Sequence, residues 1–390
     1  MKITSIEPFL CDAGWRVWTY VKVTTDEGIT GWGECSSRTP QSVATIVCEY
    51  APSLLGRDPR AVEALYWEMR WQARQHPFGV AHKAIAGIEL ALWDIKARAL
   101  GVPVYELAGG PTRDKMRVYW SHCGTSRARH AAELGLPPLR SMADIVALGR
   151  EARERGFTAL KTNIIFPGDK PSVYDAGFGA SADGTDGNVT PALLDHIESQ
   201  IAAFAEGAGP SVQIAIDLNF NFRVEAAIKI ARRLEQFNIQ WIEFDTWEPG
   251  AMRQLKESTT NTIAGMESVI GARQVKPYLD ERATDVVIID VPWNGFGESL
   301  NIGRLAELYD VTIAPHNHYS HLANLQSLNV CAVLPNVRVM EIDIDDVPWK
   351  DQLVTEAPKI ENGHILLPTG PGWGATMNEE VLRAHAWPKP

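Results

Sequence analysis

Eight short apolar runs, separated by segments with helical periodicity, dominate the chain after residue 116. The runs are MRVYWS, TALKTN, VQIAIDLN, IQWIEF, TIAGMES, DVVIIDV, VTIAPHN and VRVMEI. Runs of this length and composition favour strands, and strands that alternate with helices predict a parallel α/β barrel of the TIM type. An open doubly wound sheet is the alternative. Such a sheet typically has a glycine-rich phosphate-binding turn after its first strand, and no GxGxxG motif is present at that position.

The flanking regions have a different character. Residues 1–34 alternate as antiparallel β-strands do, and residues 40–110 are helical, with a helix expected to stop at Gly101. Residues 350–390 predict hairpin and loop that return to the N-terminal region. We therefore expect a barrel over residues 116–349 and a separate α+β region over residues 1–115, to which residues 350–390 return.

A long irregular segment, rich in Gly, Asp, Ser and Pro, follows Lys161 and runs from residue 164 to residue 193. Loops of this length are commonly functional lids or disordered segments. The segment would leave the catalytic face of a barrel, which favours a lid or a subunit contact. Surface decoration without function remains equally open.

Composition narrows the class of protein. The net charge of −11 argues against non-specific binding to nucleic acid, which needs a basic surface. No run of about 18 or more apolar residues is present, so no membrane span is predicted. The N-terminus lacks the apolar stretch of a signal peptide. The five cysteines are scattered and form no CxxC pair. These features predict a soluble cytoplasmic protein.

Three consecutive strands end in a carboxylate, at Asp217, Glu243 and Glu267. The carboxyl ends of barrel strands meet on one face, so these groups should converge there. Three convergent carboxylates repel one another unless a cation lies between them. Mg²⁺ prefers oxygen ligands, and the set lacks the Cys or His that would favour zinc. The strand ends therefore predict a magnesium site.

The remaining strands bring complementary groups to the same face. Asp290 and His316 end neighbouring strands, so the carboxylate can fix the imidazole tautomer and raise the basicity of its other nitrogen. Glu341 ends the last strand, and the second strand carries Lys161 and Asn163. A lysine in a barrel mouth is costly to bury unless it is paired, which favours a functional role for it.

With these residues in place, the chain resembles the mandelate racemase subgroup of the enolase superfamily. The resemblance covers nearly the whole length, in order, through the segments ALWDIKARALGVPVYELAGG, GFTALKTN, AIDLN, WIEF, GMES, IIDVPWNGFGES, APHN and LLPTGPGWGATMNEE. It implies a modified (β/α)₇β barrel with a capping domain, and Mg²⁺ on the three carboxylates. It also implies a reaction that removes the proton α to a carboxylate, and a homo-oligomer.

Two departures from the subgroup pattern bear on the reaction. Many relatives carry Lys-x-Lys on the second strand, with the second lysine as a base, whereas this chain has Lys161 and Asn163. A racemase with bases on opposite faces is therefore disfavoured. In addition, IEFD replaces the more usual IEEP, which retains Glu243 as a ligand and changes its local packing.

A single histidine base fits the dehydration of a sugar acid, an aldonate or aldarate, to a 2-keto-3-deoxy acid. His316 would abstract the α-proton and could then protonate the departing β-hydroxyl. Lys161 and Glu341 would assist the substrate carboxylate, with Glu341 protonated or strongly hydrogen-bonded. The expected contacts to substrate are Asn163, Asn219, His318 and Arg16. His318 could equally support another residue of the site or face solvent. Arg16, Trp18 and Arg38 of the cap loops could equally be surface or packing residues. An epimerase, a lactone cycloisomerase and a non-catalytic binding relative remain the alternatives.

Overall fold

The chain forms an eight-stranded parallel barrel with additional strands and helices at both termini. The structure is a computed structural model and describes residues 1–176 and 186–388. The strands are β1 (Ile3–Asp12), β2 (Val17–Thr25), β3 (Thr30–Glu34), β4 (Lys115–Ser121), β5 (Ala159–Thr162), β6 (Ile165–Phe166), β7 (Ser172–Val173), β8 (Gln213–Asp217), β9 (Ile239–Glu243), β10 (Ile263–Gly265), β11 (Val286–Asp290), β12 (Thr312–His316), β13 (Met340–Asp343), β14 (Ile360–Glu361) and β15 (His364–Leu366).

The helices lie between these strands and over the barrel. They are α1 (Pro40–Leu54), α2 (Val62–Gln72), α3 (Val80–Leu100), α4 (Thr125–Leu134), α5 (Met142–Glu154), α6 (Pro191–Ala208), α7 (Val224–Arg233), α8 (Pro249–Glu257), α9 (Ala272–Asp280), α10 (Val291–Asn294), α11 (Phe296–Leu308), α12 (His321–Val333) and α13 (Glu379–Ala384), with 3₁₀ turns at Val104–Ala108 and Lys350–Leu353. Gly101 ends α3 in the left-handed conformation, as its sequence predicts.

The predicted barrel is confirmed, and each of the eight apolar runs contains one of its strands. The order is β12-β11-β10-β9-β8-β5-β4, and β13 pairs in parallel with the other side of β4. The ring closes where the Ile313 and Val337 backbones form a parallel bridge. All eight carboxyl ends therefore lie on one face.

The barrel interior is filled by one layer of side chains that combines two large rings with small residues. The rings of Tyr119 and Trp241 meet edge to face with centroids 5.3 Å apart. Small residues on neighbouring strands leave the room that these rings fill. The layer comprises Tyr119, Ala159, Ala215, Trp241, Ala264, Val286, Ile288, Ala314 and Val339. The barrel is thus a packed core rather than a pore, and a ligand can bind only above this layer.

The N-terminal strands form the predicted antiparallel sheet, in the order β1-β2-β3, with α3 packed on it. The contact is close because glycines lie on both sides of it. A Cβ at Gly33 would lie 2.0 Å from the Gly87 carbonyl oxygen.

The chain after residue 350 divides between two parts of the molecule, which corrects the expectation that all of it returns to the N-terminal region. The β14–β15 hairpin pairs antiparallel with β4 and so extends the barrel sheet. Only the later part reaches the N-terminal sheet, where Ala386 bridges Cys11. The edge of β4 that precedes its pairing with β13 is free to accept the hairpin, which explains the difference.

Part of the long segment after Lys161 is a short hairpin, in which β6 pairs with β7. Residues 177–185 of the predicted lid lie outside the described residues, and its role stays a prediction. Within the ranges that the structure describes, no helix is long and apolar enough to cross a membrane.

Close packing of α5 on α6 gives a test of the fold that is independent of function. A Cβ at Gly207 would lie 1.8 Å from the Val146 carbonyl oxygen. We therefore expect Gly207→Ala to lower the free energy of unfolding by about 1–3 kcal/mol or more, because the helices must separate. Gly168→Ala is the matched control, since nothing lies within 4 Å of a Cβ there. Thermal melts of both variants check this, and equal melting temperatures would contradict the packing.

Candidate active site

A polar layer lies directly above the packed interior of the barrel. Side chains two residues apart on a strand share a face, so the residue two positions after each interior residue also points inward. On seven strands that residue is polar: Ser121, Lys161, Asp217, Glu243, Asp290, His316 and Glu341. On β10 the chain turns instead, since Met266 has a left-handed backbone with φ 85°, and Glu267 follows it. The predicted catalytic and metal residues thus meet on one face.

The three predicted metal ligands are held at neighbouring strand ends. Asp217 and Glu243 are directly paired in the β8–β9 register, and Ala264, three residues before Glu267, pairs with Glu243. Burial raises the pKa of Glu243 to about 8, and Asp217 and Glu267 add to that effect. Burial also raises the pKa of Glu267. The negative charges of these buried carboxylates are therefore poorly solvated and repel one another.

Lys161 lies among the carboxylates as their principal cation. Its Nζ lies 3.1 Å from both Glu243 oxygens, 2.9 Å from Glu341 Oε1 and 3.9 Å from Asp217 Oδ2. Burial disfavours the charged amine, but Glu243 and Glu341 outweigh it and raise the pKa of Lys161 well above its usual value. Lys161 is therefore a protonated, fixed cation.

The expected role of Glu341 requires it to be either protonated or strongly hydrogen-bonded, and in the structure it is strongly hydrogen-bonded. Besides Lys161, it accepts hydrogen bonds from the Ser121 hydroxyl and from the Asn317 backbone N–H, the latter at 2.6 Å. Its pKa lies well below the usual range, because Lys161 and His316 overcome the cost of its burial. Glu341 is therefore ionised, and it fixes Lys161 in place.

His316 and Asp290 form the predicted dyad. The strand ends are directly paired, and His316 Nδ1 lies 2.8 Å from Asp290 Oδ2. Asp290 is fully buried and also accepts from the Tyr319 hydroxyl at 2.5 Å and the Trp293 backbone N–H at 2.9 Å. With Nδ1 held in this way, Nε2 of His316 faces the carboxylate group, 3.0 Å from Glu267 Oε2.

His318 continues this arrangement outward. Its Nδ1 lies 3.1 Å from Nε2 of His316, and its ring is half-buried. Burial and the nearby charge of His316 lower the pKa of His318 well below the usual value, so its imidazole is neutral. A neutral imidazole that carries its proton on Nδ1 can donate to an unprotonated Nε2 of His316, which supports a role for His318 at the edge of the site.

The N-terminal region contributes a cation that sequence reasoning missed. Lys83 on α3 lies over the indole of Trp293, 3.2 Å from the ring centroid. That indole lies 6.0 Å from the His316 ring. Burial lowers the pKa of Lys83 to about 8. The lysine therefore adds positive charge close to the dyad from outside the barrel.

The side chains predicted to contact substrate differ in the hydrogen bonds that they already make within the protein. Asn219 is half-buried with a left-handed backbone, φ 52°, and its N–H donates to Asp217 Oδ1. The Asn163 side chain accepts from Thr125 Oγ1 at 2.9 Å and donates to the Asp217 carbonyl at 3.4 Å. Asn163 therefore has internal partners at both ends of its amide.

Three residues of the cap loops, Arg16, Trp18 and Arg38, differ in their burial and contacts. The Arg16 guanidinium pairs with Asp343 at 3.2 Å and Asp346 at 2.5 Å, so it ties β2's leading loop to the barrel. Its contact with substrate stays a prediction. Trp18 is wholly buried and packs edge to face on Trp349, which agrees with a packing role and not with contact to substrate. Arg38 is exposed.

Other residues of the site were not found from the sequence. Ser121 ends the first barrel strand and His122 follows it, with its Nδ1 2.9 Å from Asp343 Oδ1. Asp245 is buried two residues after Glu243, and burial raises its pKa well above the usual value. The signal that could have found Ser121 is its position two residues after Tyr119, which matches the spacing on the other strands.

The residues at the predicted metal site fit a divalent cation by their chemistry. In the described part of the chain, no group of three or more His, Cys, Asp or Glu side chains is arranged to hold a metal ion. Glu243 and Glu267 instead face Lys161 and His316. The donor set is nevertheless three carboxylates without sulfur, and burial and neighbouring carboxylates disfavour the charged forms of Glu243 and Glu267. A hard divalent cation would relieve that repulsion.

Comparisons with known proteins agree with this architecture. Residues 144–381 match the family model described as enolase C-terminal domain-like, and residues 15–109 match the N-terminal domain of mandelate racemase / muconate lactonizing enzyme. D-Xylonate dehydratase of Haloferax volcanii is 29% identical over 98% of this chain and 89% of its own. D-Galactonate dehydratase of Xanthomonas campestris pv. campestris is 31% identical over 94% of this chain and 90% of its own.

A solved structure from Burkholderia xenovorans strain LB400, named as a candidate L-alanine-DL-glutamate epimerase, is 39% identical. It covers 99% of this chain and 98% of its own, with a TM-score of 0.95. The same Burkholderia protein has also been solved bound to magnesium and fumarate. The family models together span most of the chain. This chain therefore belongs to the enolase superfamily, in its mandelate racemase subgroup.

Proposed function

We propose that this protein is a Mg²⁺-dependent hydro-lyase that removes water from a sugar acid, an aldonate or aldarate, and yields a 2-keto-3-deoxy acid. One observation carries the proposal. An imidazole–carboxylate dyad, His316 and Asp290, faces three strand-end carboxylates, and an amide, Asn163, stands where a second base would be needed. One base is sufficient for elimination, whereas racemisation through two opposed bases is not available to this pair of residues.

The carboxylates would hold the cation. Asp217, Glu243 and Glu267 are the proposed ligands, and bound Mg²⁺ would supply a Lewis acid for the substrate carboxylate. Lys161 is fixed by Glu243 and Glu341, so it presents a preorganised positive charge close to the proposed metal site. Such charge stabilises the dianion that forms when the α-proton leaves.

His316 would take the α-proton on Nε2. Asp290 holds Nδ1, which orients the ring and stabilises the imidazolium that results. Tyr319 and Trp293 in turn hold Asp290, so the dyad is positioned before substrate arrives. Asn219, His318, Asn163 and Arg16 stay proposed substrate contacts.

The relatives support the reaction class. The Haloferax and Xanthomonas proteins are named for the dehydration of D-xylonate and D-galactonate. Both align with nearly the whole of this chain, which covers most of their own lengths. We also propose a cytoplasmic location, a homo-oligomeric state and capping-domain boundaries at residues 115 and 350.

A screen of sugar-acid stereoisomers tests the proposal. Each acid is incubated with enzyme, with Mg²⁺ and with the metal chelated, and 2-keto acids are detected as semicarbazones. We expect at least one acid to give a 2-keto-3-deoxy product only when Mg²⁺ is present. Absence of 2-keto acid across the whole library would exclude dehydration of these substrates.

An epimerase is the second candidate, and the 39% identical Burkholderia structure favours it. A lactone cycloisomerase on the same scaffold would be a related isomerase. Both would need a proton donor other than the missing second-strand base, from the N-terminal region or the long segment. Product analysis separates them, because epimerisation and cycloisomerisation retain every oxygen atom of the substrate.

A further inference from the structure

A second histidine–carboxylate pair lies at the mouth of the site. His122 follows β4, and its Nδ1 lies 2.9 Å from Asp343 Oδ1, much as His316 Nδ1 lies 2.8 Å from Asp290. Asp343 is 1% exposed and is also paired with Arg16, so its position is fixed. With Nδ1 occupied, Nε2 is the nitrogen of His122 that remains for a ligand.

His318 connects the two pairs. Its ring centroid lies 4.8 Å from that of His316 and 5.7 Å from that of His122, which it meets edge to face. The rings of His316, His318 and His122 therefore form a continuous row. His316 is 5% exposed and lies at its inner end, whereas His122 is 24% exposed and lies at the rim of the site.

The backbone at His122 supports a functional position. His122 has φ 47° and Gly124 has φ 84°, so two left-handed residues occur within three positions. A non-glycine residue in this region is disfavoured, and such residues collect at functional sites. Of the other strand ends, those after β8 and β10 also carry a left-handed residue, at Asn219 and Met266 beside two of the proposed metal ligands.

In dehydration the departing β-hydroxyl needs a proton, and this proton can come from a residue other than the base. The β-hydroxyl leaves poorly as hydroxide, so a positioned acid that protonates it should accelerate the elimination. A second group, placed elsewhere along the substrate, can donate this proton, so that the base does not have to act as the acid in the next step. His122 lies at the rim of the site, is held by a buried carboxylate, and has no role in the proposed proton abstraction.

We propose that His122, positioned by Asp343, is the general acid for the departing hydroxyl. This rests on the proposed dehydratase function. His316 Nε2 takes the α-proton, and the C–H electron pair passes into the substrate carboxylate as the dianion forms. That pair then makes the Cα–Cβ double bond. The Cβ–O bond breaks with its electrons on oxygen, which takes the Nε2 proton of His122 and leaves as water.

The enol product becomes the 2-keto-3-deoxy acid by tautomerisation. After each turnover His316 holds one extra proton and His122 lacks one, so the protein as a whole gains none. Exchange with water at the exposed rim restores both. The groups that face His122 in this cycle are Asp343, the Ser121 hydroxyl, His318 and Arg16, which shares Asp343.

His122→Asn tests the assignment because it separates the two steps. Asparagine can still donate to Asp343 but cannot protonate a leaving group. We expect dehydration in D₂O to fall by about 10²–10⁴-fold. Recovered substrate should still gain deuterium at the α-carbon, at a rate within a few-fold of that of His364→Asn. His364 is the matched control, because it lies on β15 at the other end of β4.

A substrate with fluorine in place of the β-hydroxyl gives an independent readout. Fluoride leaves without protonation, so His122→Asn should eliminate it at close to the control rate. Loss of exchange, dehydration and fluoride release in equal proportion would show a structural role and overturn the assignment, as would unchanged dehydration. If the unmodified enzyme shows neither exchange nor dehydration with any sugar acid, the proposed function itself has failed.

Discussion

Replacement of His316 by asparagine is expected to abolish turnover, with kcat reduced by about 10³-fold or more, within the range for loss of a positioned base. The deuterium content of recovered substrate should fall by the same factor, because His316 removes the α-proton. This joint loss is the opposite of the split expected for His122→Asn. Proton NMR in D₂O measures both quantities in one sample.

His321→Asn is the matched control for this variant. His321 lies five residues further on and is bonded to Asp351 rather than to the polar layer. It should retain kcat. The proposed mechanism would be wrong if His316→Asn kept turnover of the best substrate, provided that product and metal dependence were unchanged.

Replacement of Glu267 by glutamine is expected to remove both metal binding and activity. Loss of a residue that merely orients a ligand costs about 10–100-fold in metal affinity, so loss of a direct ligand should cost at least about 100-fold. Mg²⁺ that binds only the folded state raises the melting temperature. We therefore expect added Mg²⁺ to raise the melting temperature of the unmodified protein but not that of Glu267→Gln at the same concentration.

Glu361→Gln provides the control, since this exposed carboxylate lies on β14, away from the polar layer. It should show the same Mg²⁺-dependent rise as the unmodified protein. An equal rise in Glu267→Gln would place the cation elsewhere and would remove Glu267 from the ligand set, whatever its effect on activity.

Most of the polar layer of the barrel could be predicted because it depends on local order alone. The inward-facing residues Ala215, Trp241 and Ala314 are apolar. Asp217, Glu243 and His316, each two positions later, are therefore recognisable as polar groups at the ends of their strands. Parallel barrel topology then brings them together without further information. The pairing of Asp290 with His316 follows from adjacent strands in the same way.

The rim of the site could not be predicted, because it depends on contacts between distant segments. The sequence predicts Arg16 as a substrate contact but does not indicate its ion pair with Asp343, which is 327 residues away in sequence. His122 is placed by a left-handed turn that no residue pattern marks. Tyr319 reaches Asp290 only because the turn after β12 folds back over the dyad.

One proton NMR experiment tests the central claim most directly. The best sugar acid from the screen is converted to completion in D₂O with Mg²⁺ present. Dehydration through an enol predicts a 2-keto acid whose carbon 3 bears deuterium and no hydroxyl. A product that keeps its hydroxyl at carbon 3 and carries deuterium at an inverted α-carbon would instead establish an epimerase and contradict this account.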